Sequence, residues 1–254
     1  MTPQEAAYSR AVATGAEAIA EAVEASPARK VPNCPSWDLA ALARHVGLLY
    51  VRVSEQVRRR SPEPVRSSEL PPAPQEGALG PWLRQSADRL LEALRSTDGD
   101  VPAGHWRDQA VTAGFWRRRM AHETIVHRVD AEDCLGRAAL LDSDLSVDGT
   151  DEVLQLFLPL STSKGTWPPD GALWLVRADG PEQWWVEAGK GNVHVRRQPP
   201  GSLPPEGPSR SVAARVEAPA IELFLMCWGR RVPPTTEVTG SYALLEDWLS
   251  VLGW

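Results

Sequence analysis

The spacing of apolar residues predicts four helices in the first half of the chain. The predicted helices cover residues 5–25, 37–60, 81–95 and 116–135. The first is rich in alanine and glutamate and holds few helix breakers. Ser36 has the residue type of an N-cap for the second helix, and Pro81 suits the first turn of the third. Four such helices predict a bundle.

The pattern changes after residue 142, where short runs of β-branched and aromatic residues alternate with glycine turns. The predicted strands cover residues 172–177, 183–187, 192–196 and 212–217, and the predicted helices cover residues 148–157, 219–228 and 242–252. We therefore expect two domains, a four-helix bundle over residues 1–142 and a smaller α+β domain over residues 143–254. The expected fold class is an α domain joined to an α/β domain.

Two connections of the bundle are recognisable. Residues 61–81 hold many prolines and serines without apolar periodicity, so they form a predicted long loop. Loops of this length are often lids or disordered segments, and the sequence assigns this one no role. Residues 104–114 predict a connection or a short irregular hairpin before the fourth helix.

Two ionisable residues interrupt the apolar stripe of the fourth predicted helix. Glu123 and His127 are four residues apart, so their side chains lie one turn apart on one face. The whole stripe consists of Trp116, Met120, Glu123, His127, Ala131 and Cys134. His45 lies on or beside the apolar stripe of the second predicted helix, whereas His122 lies about 100° around the fourth helix and is a poorer ligand candidate. If the two helices face each other, His45 joins Glu123 and His127 in the bundle interior.

Two interpretations fit this triplet. Two imidazoles and one carboxylate with open positions form a catalytic zinc arrangement, which also suits iron(II). Alternatively, Glu123 and His127 form a hydrogen-bonded pair within their helix, and His45 is a core histidine with its own hydrogen bonds. The spacing alone does not decide between them.

Three stretches of the chain resemble the mycothiol-dependent maleylpyruvate isomerase family, which belongs to the DinB-like group of metal-dependent thiol transferases. They are residues 33–37 (Asn-Cys-Pro-Ser-Trp) leading to 43–45 (Ala-Arg-His), residues 122–131 with His122-Glu123 and His127-Arg-x-Asp-Ala, and residues 227–230 (Cys-Trp-Gly-Arg). The resemblance covers nearly the whole chain. It implies a DinB-like metal-binding bundle followed by a sterol-carrier-like C-terminal domain.

The resemblance also implies a reaction and its residues. His45, Glu123 and His127 match the family's metal ligands, with zinc the first expectation and iron(II) or another divalent metal the alternatives. Arg230 matches an arginine that would hold a substrate carboxylate, and we prefer it to Arg231. Mycothiol would act as a thiolate on a small, anionic electrophile, either in a maleylpyruvate-type cis–trans isomerisation or in an S-transfer.

Two other classes of function stay open. A metal-dependent hydrolase would activate water without a thiol, although Glu123 as a ligand leaves no separate general base in its motif. A non-catalytic module would carry a small ligand, and its ligand binding would survive replacement of His45 by alanine.

Composition excludes further classes. The formal net charge of −6 over 254 residues leaves no basic excess for a nucleic-acid or anionic-membrane surface. No apolar run approaches the ~20 residues that span a bilayer, and no signal peptide is recognisable. We therefore expect a cytoplasmic protein that binds neither nucleic acid nor membrane. Monomer and homodimer are both compatible with the sequence.

Cysteines and arginines give weaker expectations. Cys34, Cys134 and Cys227 are widely spaced and odd in number, so they predict neither a disulfide framework nor a metal-ligand pair. Cys134 is expected to be a small buried residue of the stripe. The arginine runs at 58–60 and 117–119 are predicted to be solvated, although either could hold an anionic substrate near the bundle mouth.

Overall fold

The chain divides into two units, Met1–Leu140 and Leu141–Trp254. The computed structural model describes residues 2–252 except 108, 164, 166, 190, 200, 203–211, 232–233 and 235–236. The first unit is built mainly of helices, and the second combines helices with a mixed sheet. The predicted class, an α domain joined to a domain of α and β structure, is confirmed.

The first unit is a four-helix bundle with two short hairpins. Its helices are α1 (Pro3–Ala25), α2 (Leu39–Arg59), α3 (Leu79–Arg95) and α4 (Ala113–Cys134). Strand β1 (Lys30–Val31) pairs with β2 (Cys34–Asp38), and β3 (Pro102–Trp106) pairs with β4 (Gln109–Thr112), both antiparallel. Helices α1 and α2 each pack against both α3 and α4. One apolar core, made from the inner faces of all four helices, fills the bundle.

The N-terminus of α2 differs from the prediction. The helix begins at Leu39, and its N-cap is Asp38, whose carboxylate accepts a hydrogen bond of 2.9 Å from the backbone N–H of Ala41. The prediction of Ser36 as the N-cap is wrong, because Ser36 lies inside β2. Pairing of β2 with β1 keeps this segment extended, and the helix starts only where the pairing ends.

The connections agree with the predicted loops. Two 3₁₀ turns, Ser67–Glu69 and Glu76–Ala78, are the regular elements described between α2 and α3. The hairpin of β3 and β4 fills the connection before α4. None of the helices in the described ranges is both long and apolar enough to cross a membrane.

The second unit combines helices with a five-stranded sheet. Its elements are α5 (Ser143–Glu152), a π-helical segment (Val153–Phe157), α6 (Leu158–Ser163), β5 (Gly171–Arg177), β6 (Gln183–Gly189), β7 (Asn192–Gln198), β8 (Val212–Ala218), α7 (Ala220–Cys227), β9 (Val238–Gly240) and α8 (Tyr242–Ser250). The strand order is β7-β6-β5-β8-β9, with β5 and β8 parallel and the other neighbours antiparallel. The four predicted strands are present. The three-residue strand β9 was not predicted, because it is too short to show a period of two.

Strand β6 is buried on both of its faces. Trp184 and Trp185 of β6 are adjacent, so they point to opposite faces, and both are buried. Asp151 of α5 accepts hydrogen bonds from the indole N–H of Trp184 at 2.6 Å and from Arg197 of β7 at 3.0 Å. A buried carboxylate with two donors therefore ties α5 to the sheet.

The three cysteines are free thiols, in agreement with the sequence. Cys134 is 2% exposed, as expected of a small residue on the stripe of α4. Burial raises the pKa of its thiol to about 11 and that of the Cys227 thiol to about 12. Both therefore stay protonated near neutral pH and are poor nucleophiles there.

The cap of α2 gives a first testable prediction. Asp38→Ala removes the acceptor for the N–H of Ala41, and we expect it to lower the free energy of unfolding by about 1 kcal/mol. Ser36→Ala is the matched control, since Ser36 is exposed in β2, and we expect a change within about 0.5 kcal/mol. Urea denaturation followed by circular dichroism measures both. An equal loss in the two variants would contradict the assignment of the cap.

The contact of α2 with α3 gives a second prediction. A Cβ atom at Gly47 would lie 2.2 Å from Cζ3 of Trp82. Glycine to alanine in an unhindered helix is worth up to about 1 kcal/mol of stabilisation, but here the crowding reverses the sign. We expect Gly47→Ala to destabilise the protein by about 1–3 kcal/mol in urea denaturation. Gly77→Ala, with open space around its Cβ, should change stability by no more than about 0.5 kcal/mol; a stabilised Gly47 variant would show that Trp82 moves aside.

Candidate metal centre

The three predicted ligands come together inside the bundle. Helix α2 supplies His45, and α4 supplies Glu123 and His127. Oε1 of Glu123 lies 3.0 Å from Nε2 of His45 and 3.3 Å from Nε2 of His127. One donor atom from each side chain lies within 4.8 Å of the other two.

The spacing of these atoms suits a small divalent cation. Two donors bonded to one metal at ~2.1 Å are about 3.4 Å apart at the tetrahedral angle and about 3.0 Å apart at a right angle. Both distances to Oε1 of Glu123 fall in or near this range. Two imidazole nitrogens and one carboxylate oxygen are also a donor set that zinc and iron(II) accept. The same separations are hydrogen-bond distances, so the geometry is compatible with both interpretations of the sequence.

A buried carboxylate orients His127. Nδ1 of His127 donates to Oδ2 of Asp130 at 2.9 Å, and Asp130 has no exposed surface. Nδ2 of Asn33, which lies between β1 and β2, donates to the other oxygen of Asp130 at 3.2 Å. With its proton on Nδ1, His127 presents the lone pair of Nε2 toward Glu123. This is the arrangement in which an imidazole serves as a metal ligand.

A buried arginine neutralises Glu123. The guanidinium of Arg119 donates from Nη2 to Oε2 of Glu123, one turn along α4, and Arg119 is only 2% exposed. The prediction that the run at 117–119 is solvated is wrong here, because Glu123 compensates the buried charge. Arg117 also turns inward, donating to Glu5 at 2.6 Å and to the carbonyl of Leu94 at 2.8 Å. The four-residue spacing of Arg119 and Glu123 is a signal that could have indicated the pair.

Interactions within the cluster shift the pKa of both Glu123 and His127. Burial disfavours the ionised Glu123 carboxyl, but the charge of Arg119 and hydrogen bonds from His127 and His45 outweigh it and hold its pKa well below the ordinary value. Burial likewise disfavours the charged imidazole of His127. Hydrogen bonds to Asp130 and Glu123 outweigh that effect and raise its pKa.

The cluster is open on the side of His45. The side chain of His45 is 39% exposed, whereas those of Glu123 and His127 are 16% and 8% exposed. The half-buried ring of Trp37 borders both histidines, with its centroid 4.8 Å from His45 and 5.9 Å from His127. A small molecule can therefore approach His45 beside an aromatic surface. Sequence reasoning did not assign Trp37 to the site.

The structure also describes the surroundings of His122, Arg230 and Arg231, each within its own unit. The ring of His122 packs edge-on against Tyr8 of α1, at 6.0 Å between centroids. Arg230 belongs to the second unit, three residues after the end of α7, and its Nη1 donates to the carbonyl of Trp228 at 2.7 Å. Its neighbour Arg231 forms an ion pair with Glu222 at 2.8 Å on the surface.

Solved structures with the same fold bear the name of one enzyme. The crystal structure of the mycothiol-dependent maleylpyruvate isomerase has a TM-score of 0.60 at 16% identity, covering 91% of this chain and 90% of that one. A histidine-to-alanine mutant of the mycothiol-dependent maleylpyruvate isomerase has a TM-score of 0.59 at 17% identity, covering 94% and 92%. At such identities the likeness concerns the fold. Among curated proteins, none matches the sequence significantly.

Family models match the sequence over both units. The model described as the mycothiol maleylpyruvate isomerase N-terminal domain matches residues 8–132, which include His45, Glu123 and His127. The model described as the MDMPI C-terminal domain matches residues 144–247, which include Arg230. The chain therefore belongs to the mycothiol-dependent maleylpyruvate isomerase family.

Proposed function

We propose that this chain is an enzyme that uses mycothiol, as a thiolate, on a small anionic electrophile. His45, Glu123 and His127 hold a divalent metal, with zinc the first expectation. The reaction is a maleylpyruvate-type cis–trans isomerisation or an S-transfer. The observation that carries the proposal is the convergence of three metal-ligand atoms within 4.8 Å in a chain of this family.

Each residue of the centre has a role in this proposal. A divalent cation held here supplies stabilisation of a thiolate, which is the nucleophilic form of a thiol. Asp130, supported by Asn33, fixes the tautomer and the orientation of His127. Arg119 occupies one oxygen of Glu123, so the other oxygen faces the two histidines. Trp37 covers one side of the histidines and limits the access of water to them.

We propose further that Arg230 binds the carboxylate of the substrate. A guanidinium forms two parallel hydrogen bonds with a carboxylate and can stabilise negative charge that develops in a conjugated acid. We prefer Arg230 to Arg231, because Arg230 lies in the Cys-Trp-Gly-Arg motif at 227–230 that resembles the family. Arg230 also lies within residues 144–247, which match the C-terminal family model.

Metal binding is the first test of the proposal. We expect the wild-type protein to bind about one zinc per chain and His45→Ala to bind it at least 100-fold more weakly, since one of three ligands is lost. His105→Ala is the control, because His105 lies in β3 outside the cluster, and it should bind zinc like the wild type. Elemental mass spectrometry and calorimetric titration of the metal-free protein measure this. Folded wild type that takes up no zinc would exclude the proposed centre.

Turnover tests the thiol and Arg230. With mycothiol and a cis-configured maleyl-type acid, we expect isomerised product or a thioether adduct, and neither without the thiol. Arg230→Ala should raise KM for the acid roughly 10- to 100-fold, because a charged hydrogen bond is worth about 1.5–3 kcal/mol. Arg231→Ala should stay near the wild type. Product analysis by chromatography separates isomerase from transferase. Hydrolysis that persists without any thiol would instead indicate the hydrolase class.

A further inference from the structure

A pocket of about 290 Å³ lies in the first unit between α2, α3 and the long loop that joins them. One face of α2, two residues of α3 and residues 69–71 of the loop line it, and we call it the α2–α3 pocket. Its lining residues of α2 lie between positions 51 and 58, six to 13 residues after His45. At a rise of 1.5 Å per residue, they lie about 9–20 Å farther along the helix. The pocket is therefore separate from the candidate metal centre, whose three ligands are not among its lining residues.

Two arginines at this pocket are available to a ligand. Arg58 of α2 and Arg89 of α3 line it from two sides, and both are exposed. Within the part of the chain that the structure describes, neither guanidinium takes part in a hydrogen bond or an ion pair. Each offers five N–H donors in a planar arrangement that matches a carboxylate. Unpaired cations on two walls favour an anionic ligand.

The carboxylates that line the pocket are engaged by a third arginine. Arg59 donates from Nε to Oε1 of Glu55 at 2.9 Å, and its Nη1 lies 2.9 Å from Oε2 of Glu69. The other oxygen of Glu69 accepts a hydrogen bond of 2.8 Å from the backbone N–H of Arg66. The hydrogen bonds from Arg66 and Arg59 hold the pKa of Glu69 below its ordinary value. An anion in the pocket therefore meets acids that already have a cationic partner.

The rest of the lining is mainly apolar. Val51 of α2 and Leu70 and Pro71 of the loop present an apolar surface. Ser54 also lines the pocket and is only 7% exposed, and its hydroxyl has no hydrogen-bond partner among the described residues. Buried hydroxyls without a partner are uncommon. An apolar surface beside polar donors is typical of a site for a small organic molecule, and the volume is near the lower end of the range for such sites, about 300–1,000 Å³.

We propose that the α2–α3 pocket binds a small organic carboxylate, whose charge is held by Arg58 and Arg89 and whose apolar part lies against the loop wall. The site needs neither the metal nor the thiol of the proposed function, so it stands independently of that function. It also assigns a role to the loop between α2 and α3. A hydrogen bond of 2.7 Å from Arg52 to the hydroxyl of Ser67 holds the loop against α2, so that residues 69–71 form the third wall.

Calorimetric titration with benzoate, a carboxylate on an apolar ring, tests the site. We expect the wild type to bind about one benzoate per chain with a Kd on the order of 0.1–1 mM, because water screens exposed arginines. Benzamide has the same shape without the charge, and acetate has the charge without the ring. Both should bind roughly tenfold more weakly than benzoate. Inorganic phosphate that binds as tightly as benzoate would overturn the assignment to an organic carboxylate.

Substitutions test the two arginines. Arg58→Gln and Arg89→Gln should each weaken benzoate binding roughly 5- to 20-fold, toward the affinity for benzamide, because a charged donor is lost. Arg10→Gln is the matched control, since it removes an exposed arginine of α1 that does not line the pocket, and it should bind benzoate like the wild type. An equal loss in Arg10→Gln would show a general effect of net charge and overturn the site. If Arg58→Gln loses its helical circular dichroism, Arg89→Gln decides.

His45→Ala separates this pocket from the candidate metal centre. We expect the variant to bind benzoate like the wild type, because His45 does not line the pocket. Benzoate binding that is lost in His45→Ala and kept in both arginine variants would place the carboxylate at the metal centre and overturn the inference, without contradicting the proposed function. A wild type that binds no benzoate would also overturn it. A wild type that binds benzoate through the two arginines but takes up no zinc would contradict the proposed function alone.

Discussion

The carboxylate of Glu123 is the constraint on which the first unit depends. It is ionised inside a helical bundle, where an uncompensated charge is expensive. Its compensation comes from Arg119 and His127 on the same helix and from His45 on α2. The contact with His45 joins α2 to α4, as does the buried hydrogen bond of 2.6 Å between the hydroxyls of Tyr50 and Thr124. Compensation of the charge on Glu123 therefore depends on the packing of these two helices.

The hairpin before α2 serves the same centre. Pairing of β1 with β2 keeps the chain extended up to Asp38 and places Asn33 against Asp130, one hydrogen bond away from His127. The same hairpin carries Trp37 to the two histidines. A segment that reads in the sequence as a simple turn is therefore part of the site. Because the N-cap of α2 is Asp38 rather than Ser36, Trp37 lies on the extended strand β2.

Local periodicity was enough to predict the four helices, the change from helical to strand-like sequence pattern after residue 142, and the shared face of Glu123 and His127. These features depend on spacing within one element, and spacing is visible in a sequence. The cap at Asp38 and the burial of Arg119 depend on partners elsewhere: a strand pairing in one case and a desolvated carboxylate in the other. An arginine in a run of three reads as solvated unless the four-residue spacing to an interior glutamate is taken into account. The role of Arg230 stays a prediction, because it rests on the resemblance of its motif.

A proton and a metal cation are alternative ways of satisfying the same cluster. Without a cation, His127 lies between the carboxylates of Glu123 and Asp130, and its raised pKa means that it holds a proton there more readily than a free imidazole does. Hydrogen bonds and ion pairs among Glu123, His127, Asp130 and Arg119 therefore satisfy the cluster, as the hydrogen-bonded interpretation of the sequence requires. A cation at the three donor atoms would occupy the space between Oε1 of Glu123 and the two Nε2 atoms, where a shared proton otherwise lies, so the same side chains serve both interpretations.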